Sequence, residues 1–365
     1  MTDDASRKPW WRGTAALVAA GAIAALGLGI GGGALGAVLV DAGRGPGACD
    51  AVAVTEATLP SIVTVWASGA RGGGNGSGVI IAPDGRIVTN DHVIAPAISG
   101  GAVSGSLSVS LADGERIEAE LVGRDPQTDL AVLRIERDGG VPVIGFGSSA
   151  QVRTGQPVVA LGAPLGLSNS VTAGIASALG RAVTLPTGDG GVTVVTGAVQ
   201  TDAAINPGNS GGALVDCRGR LIGINTAIST VPGADGAAGG GSVGIGYAIP
   251  VDTVRTITDE LIANGRVDHP SFGIEVAQLS AAQAAQFGVR PGLVITSVIA
   301  GGSADEAGLQ VGDLIIRLGS RTAPTAVTLA DVTVRAAPGD TVEVEYIRAL
   351  ETRTTTVTLQ PDPVP

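Results

Sequence analysis

The sequence is short of most residues that reactive or cross-linked scaffolds draw on. Its 365 residues include two cysteines, two histidines, one methionine and only 2% aromatics. Two cysteines are too few for a disulfide scaffold and leave room for one bridge. With histidines only at His92 and His269, any mechanism that needs an imidazole base has two candidates. Scarce aromatics leave the core to Ala, Val, Leu and Ile. Positive charge is also in deficit: 22 Lys and Arg stand against 33 Asp and Glu, a net charge of −11. Binding phosphates needs a basic face and none appears in the sequence, which argues against nucleic acid as a partner. There is no convincing metal-ligand cluster and no nucleotide fingerprint. GLGIGGG lies inside an apolar run with no strand before it, the wrong setting for a phosphate loop. Neither metal nor cofactor is expected.

What is present begins with an uncharged run of 28 residues, Gly13 to Val40, preceded by Arg7, Lys8 and Arg12 and edged by Trp10 and Trp11. A helix of this length exceeds the roughly 30 Å hydrocarbon core of a bilayer. A basic flank stays cytoplasmic and tryptophans favour the interface. The pattern predicts a cytoplasmic tail over 1–12, a transmembrane anchor over 13–40, and an extracytoplasmic remainder after a linker over 41–50. A cleaved signal peptide is the alternative, although its apolar region is usually only about 7–15 residues.

From Ala51 to Pro250 short Val/Ile/Leu runs alternate with Gly, Asn, Asp and Pro, as in SIVTVWA, GVIIAPDGRIVTN, DLAVLRI and GRLIGIN. Such spacing reads as an all-β barrel or sandwich. Over 251–267, VDTVRTITDELIANG sets Val254, Ile257, Leu261 and Ile262 at helical spacing, with Gly265 as a stop. A second β-rich unit follows over 268–361, with one helix-like stretch, GSADEAGL, and a frayed PDPVP tail.

The chemistry-bearing signal is QTDAAINPGNSGGAL. A serine hydroxyl attacks only when a base removes its proton and donors await the developing oxyanion. Gly208 and Gly211 allow a tight turn around Ser210, and the amides of Gly208 and Ser210 are the candidate oxyanion hole. His92 follows a Val/Ile strand pair and Asp129 opens DLAVLRI. The order His, Asp, Ser, with Asp129 37 residues after His92 and Ser210 81 after Asp129, is that of chymotrypsin-like enzymes. The rival reading, a Gly-x-Ser-x-Gly elbow, needs strand–turn–helix at the serine and its histidine downstream. Here ALVDCRGRLIGIN reads as a hairpin, and the one later histidine lies in the second unit. Six residues before the nucleophile, where an acid would capture Lys or Arg, stands Ala204. With Ile205 and the facing Gly244, Ile245 and Gly246 it predicts an uncharged S1 pocket for small or medium aliphatic residues.

GSGVII, TNDHVI, TDLAVLRI and QTDAAINPGNSGGALVD closely resemble the catalytic segments of the HtrA/Deg serine proteases. The resemblance implies a chymotrypsin-like double β-barrel and ATP-independent cleavage of unfolded proteins outside the cytoplasm. It also implies a homotrimer, with His92 as base, Asp129 as its orienting partner and Ser210 as nucleophile. The second unit resembles a PDZ domain, most specifically in SADEAGLQVGDLI. That likeness implies capture of peptide carboxyl termini by a loop at Ser271, Phe272, Gly273 and Ile274. The alternative is a small β-domain with Phe272 in its core. His269 reads as a surface linker residue, and Cys49 and Cys217 as the single possible bridge. An anchored chaperone or peptide-binding scaffold with little turnover is the competing function.

Overall fold

The computed structural model describes residues 49–70, 72–163, 170–186, 192–228 and 244–361. The predicted anchor over 13–40 lies outside them. Among the described residues no helix is long and apolar enough to cross a membrane. Asp50–Pro365 is one unit.

It opens on helix α1, Ala51–Thr58, capped by the Asp50 carboxylate, where no helix was expected. Six strands then close a barrel: β1 Ile62–Gly69, β2 Gly72–Ile80, β3 Arg86–Thr89, β4 Ser106–Ser110, β5 Arg116–Asp125 and β6 Leu130–Ile135. Their order round the barrel is β1-β2-β3-β6-β5-β4. The predicted APDG and LADG turns fall between β2 and β3 and between β4 and β5. The interior is aliphatic, including Val63, Val65, Ile80, Ile87, Val109 and Leu133, as the shortage of aromatics requires.

A second, seven-stranded sheet comprises β7 Gly145–Phe146, β8 Pro157–Gly162, β9 Ser170–Pro186, β10 Val192–Thr201, β11 Ala213–Asp216, β12 Arg220–Ile228 and β13 Gly246–Pro250. Its order is β11-β8-β9-β10-β13-β12-β7, and an extra pairing of β11 with β12 closes six strands into a ring. Helix α2, Asp91–Ile94, is a single turn between β3 and the loop to β4. Helix α3, Val251–Asn264, follows β13 and stops at Gly265, which is left-handed at φ 75°. Of the predicted apolar face Ile262 is half-buried, and Val254, Ile257 and Leu261 are buried. They pack on β5, β6 and β12, so the helix ties the two barrels together. Each such side chain contributes about 1.5–3 kcal/mol of transfer free energy.

The last unit is a six-stranded sheet: β14-β15-β16-β17-β18 in that order, Ile274–Leu279, Gly292–Val298, Leu314–Leu318, Thr341–Arg348 and Glu351–Thr358, with the short strand Arg321–Thr322 paired to β16 off that path. The expected helix appears as α5, Ser303–Glu306. Two others were not foreseen: α4, Ala281–Phe287, and α6, Ala326–Arg335, each opened by a capping box. Pro361, expected to fray, instead pairs with Pro270; residues 362–365 lie outside the described set. One expectation fails outright. His269 is buried, 6% exposed, because its Nε2 bonds Asp125 of β5 at 2.8 Å.

Candidate active site

The turn of α2 carries His92 out of the first barrel, and Asp129 stands immediately before β6. Asp129 is left-handed, φ 58°, a conformation that costs a non-glycine residue about 1–3 kcal/mol. Neighbours hold it there. Asn90 Nδ2 donates to its carbonyl at 2.8 Å, and the His92 N–H donates to Oδ1 at 3.0 Å. The His92 ring nitrogen Nδ1 lies 2.9 Å from both carboxylate oxygens. The Thr226 hydroxyl donates to Oδ2 at 2.5 Å. Asp129 is only 3% exposed, so these donors replace the water its charge would otherwise require.

Two opposed influences act on the imidazole. Partial burial is the largest single one and disfavours its charge; the hydrogen bond to Asp129, the Asp129 charge and the Asp91 charge together outweigh it. The His92 pKa lies above its ordinary value. Asp91 is itself buried and gripped by Arg124 through two bonds of 2.6 and 2.7 Å. Burial nevertheless leaves the Asp91 pKa above the usual carboxylate value.

Ser210 lies in the turn between β10 and β11. Gly208 and Gly211 take φ 96° and 84°. Asn209 N–H donates to Asn206 O at 2.9 Å, and Gly211 N–H donates to Asn225 O at 2.8 Å. The Ser210 hydroxyl donates to the carbonyl of Thr226 at 3.2 Å. Thr226 therefore touches both acid and nucleophile, the first through its side chain and the second through its backbone. It is a residue that motif reading missed; its only signal is a polar side chain in the apolar run GRLIGINTAI. The structure joins His92 to Asp129 directly and Ser210 to Asp129 through Thr226. The elements carrying His92 and Ser210 meet at Gly76, where a Cβ would sit 2.6 Å from Val93 Cγ2 and 3.0 Å from Ser210 O.

Of the expected S1 residues, Ala204 is half-buried and its carbonyl accepts from the Thr172 hydroxyl at 2.9 Å. Ile205 is 1% exposed and belongs to the core of the second barrel. It abuts Gly246, where a Cβ would lie 2.5 Å from Ile205 Cγ1. Gly244 is exposed and Ile245 half-buried. In the last unit, Ile274 opens the edge strand β14. Gly273 is left-handed and its N–H donates to Ser271 Oγ at 3.0 Å. The Phe272 side chain packs in the core with Leu293 and Ile295, where the alternative reading put it, and does not line a pocket with Ile274. Cys49 and Cys217 are both disulfide-bonded.

Known proteins match this layout. Residues 76–224 match the trypsin-like peptidase domain and residues 270–359 the PDZ domain. The chain is 40% identical over 304 residues to serine protease PepD of Mycobacterium tuberculosis, covering 82% of this chain and 63% of that protein. It is 40% identical over 297 residues to the serine protease Do-like HtrA of Lactococcus lactis subsp. cremoris, covering 78% of this chain and 70% of that protein. The solved structure of the HtrA-type protease AlgW with a decapeptide superposes with a TM-score of 0.65 at 31% identity, over 87% of this chain and all of that one. Several of the curated relatives are longer, and the chain spans between 53% and 63% of their length.

Proposed function

This chain belongs to the HtrA family of serine proteases, and from that premise we propose that it is a serine endopeptidase acting through Ser210, His92 and Asp129. The observation that carries the reading is the Asp129 carboxylate, which holds the His92 ring and, through Thr226, borders the Ser210 turn. With Nδ1 engaged by Asp129, the other ring nitrogen of neutral His92 is the base. Rotation of the Ser210 hydroxyl breaks one long bond to the Thr226 carbonyl and turns it to the imidazole. His92 then takes the proton as Oγ attacks the scissile carbonyl. The oxyanion is received by the amides of Gly208 and Ser210. Collapse of the tetrahedral intermediate expels the amine with the proton from His92, and water releases the acyl group by the same route.

Alanine in place of an acid at position 204 and the uncharged facing segment GIGYAIP support cleavage after Val, Ala or Leu. The open edge of β14 beside Gly273 supports strand addition by the carboxyl terminus of a peptide. By family likeness the substrates are unfolded proteins and the assembly is a homotrimer; the uncharged run over 13–40 with its basic flank supports a membrane anchor that leaves the catalytic part outside the cytoplasm. A fluorophosphonate probe should label Ser210, and the full chain should digest casein with little cleavage after Lys or Arg. Ser210→Ala should lose both reactions. Casein digestion that survives this substitution refutes the assignment. A wild type that binds unfolded protein without cutting it points to the scaffold alternative.

A further inference from the structure

One buried side chain outside the triad touches the nucleophile turn at two points. Ser77 of β2 is 0% exposed, and its polar groups are engaged across the junction of the two barrels. Its hydroxyl donates to the carbonyl of Gly208 at 2.6 Å and accepts from the N–H of Ala163 at 2.8 Å. Its N–H donates to the carbonyl of Ser210 at 2.8 Å. Its own carbonyl accepts from the Thr89 hydroxyl at 2.7 Å. The place in the ladder explains why these groups are available. Strand β2 pairs with β3 through Val79 and Ile80; at Ser77 the partner strand has diverged, so that edge of β2 faces the second barrel.

We propose that Ser77 is a positioning residue for the oxyanion hole, an inference that rests on Ser210 being the nucleophile. The two carbonyls it holds, those of Gly208 and Ser210, bracket the Asn209–Ser210 segment. Their peptide units, 208–209 and 210–211, flank the unit that carries the Ser210 N–H, so anchoring both limits the rotation about ψ of Asn209 and φ of Ser210 that sets the direction of that N–H. The approach is close: a Cβ on Gly211 would lie 2.0 Å from the Ser77 carbonyl oxygen. Loss of the hydroxyl leaves the 208–209 unit held by the bond from Asn209 N–H to Asn206 O, and the next unit gains freedom to swing the Ser210 N–H out of line with the Gly208 N–H. Removing a single oxyanion donor outright costs about 10²–10³-fold in kcat. Misplacing one costs less.

Ser77→Ala in the full chain should therefore lower kcat on an aliphatic-P1 peptide by roughly 10–100-fold while KM stays within about threefold. Affinity for a peptide boronate, which mimics the tetrahedral state, should fall in parallel with kcat. The acid limb of the pH profile should not move, because Ser77 touches neither His92 nor Asp129 in the bonds described. Ser77→Thr, which restores a hydroxyl, should recover most of the rate. Should the alanine variant fail to fold, Ser77→Cys, close in shape but a weak donor, carries the same test. A folded Ser77→Ala or Ser77→Cys enzyme with kcat within twofold of wild type overturns the positioning role alone. A wild type that takes no fluorophosphonate at Ser210 overturns it together with the triad.

Discussion

At the residue scale, His92 shows how magnitude and sign decide behaviour. Its pKa is raised because neighbouring carboxylates outweigh partial burial. The imidazole must be neutral to accept the Ser210 proton, so the acid limb of kcat/KM should lie above the ordinary histidine range. Asp91→Asn removes a negative charge that favours the imidazolium and leaves Arg124 beside the site. Both changes lower the His92 pKa, so the acid limb should move to lower pH; a limb that stays put or moves upward contradicts the assignment. Thr226→Val separates the two contacts of that residue, since its carbonyl bond to Ser210 survives and its hydroxyl bond to Asp129 does not. A bond to a charged acceptor is worth about 1.5–3 kcal/mol, which predicts a loss in kcat of roughly 10–100-fold. Activity within twofold would show the Thr226 hydroxyl to be dispensable.

At the element scale, what the sequence discloses depends on whether the signal is local. Helix α3 was legible because Val254, Ile257 and Leu261 repeat at helical spacing and Gly265 can end the helix left-handed. Helix α6 was not. Its AVTLADVTVR run is rich in β-branched residues, which favour strands, and tertiary packing with the Thr325 cap overrides that preference. The triad was legible because histidines are so few and glycines flank the serine. Ser77 and Thr226 were not, since both are ordinary strand residues until two barrels face each other. The PDZ unit was marked by SADEAGLQVGDLI, and the structure gives one reason. Asp313 in that run is 1% exposed and takes two bonds from Arg348, at 2.7 and 2.6 Å, and one from Gln310 N–H at 2.8 Å. Asp313→Ala breaks a buried pair, but Arg348 retains 24% exposure and can turn to water. The expected cost is therefore about 2–3 kcal/mol, read as a lowered midpoint of the PDZ transition in urea.

At the scale of the whole molecule, the contacts between peptidase and PDZ units decide whether one can influence the other. Flexible linkers are the usual expectation between domains, and here a packed connecting helix and two contacts between the units oppose it. Helix α3 packs across both barrels, α6 lies against β9 and β10, and His269 is buried on Asp125. The last contact reaches furthest into the site. The Asp125 carboxylate accepts from His269 and from the Thr128 hydroxyl, and its other oxygen accepts the Gln127 N–H at 3.1 Å. Asp125 thus braces the turn that ends at Asp129, the residue in the costly left-handed conformation. His269 stands just before Pro270, where the PDZ unit begins, so a shift of that unit pulls on the same carboxylate. His269→Ala should lower kcat about tenfold, because small displacements of a catalytic group are amplified in rate, while KM changes little. His269→Gln, with an amide N–H in reach of Asp125, should restore most of the loss. If both variants work at the wild-type rate, the bond serves stability alone, and the two units communicate by another path.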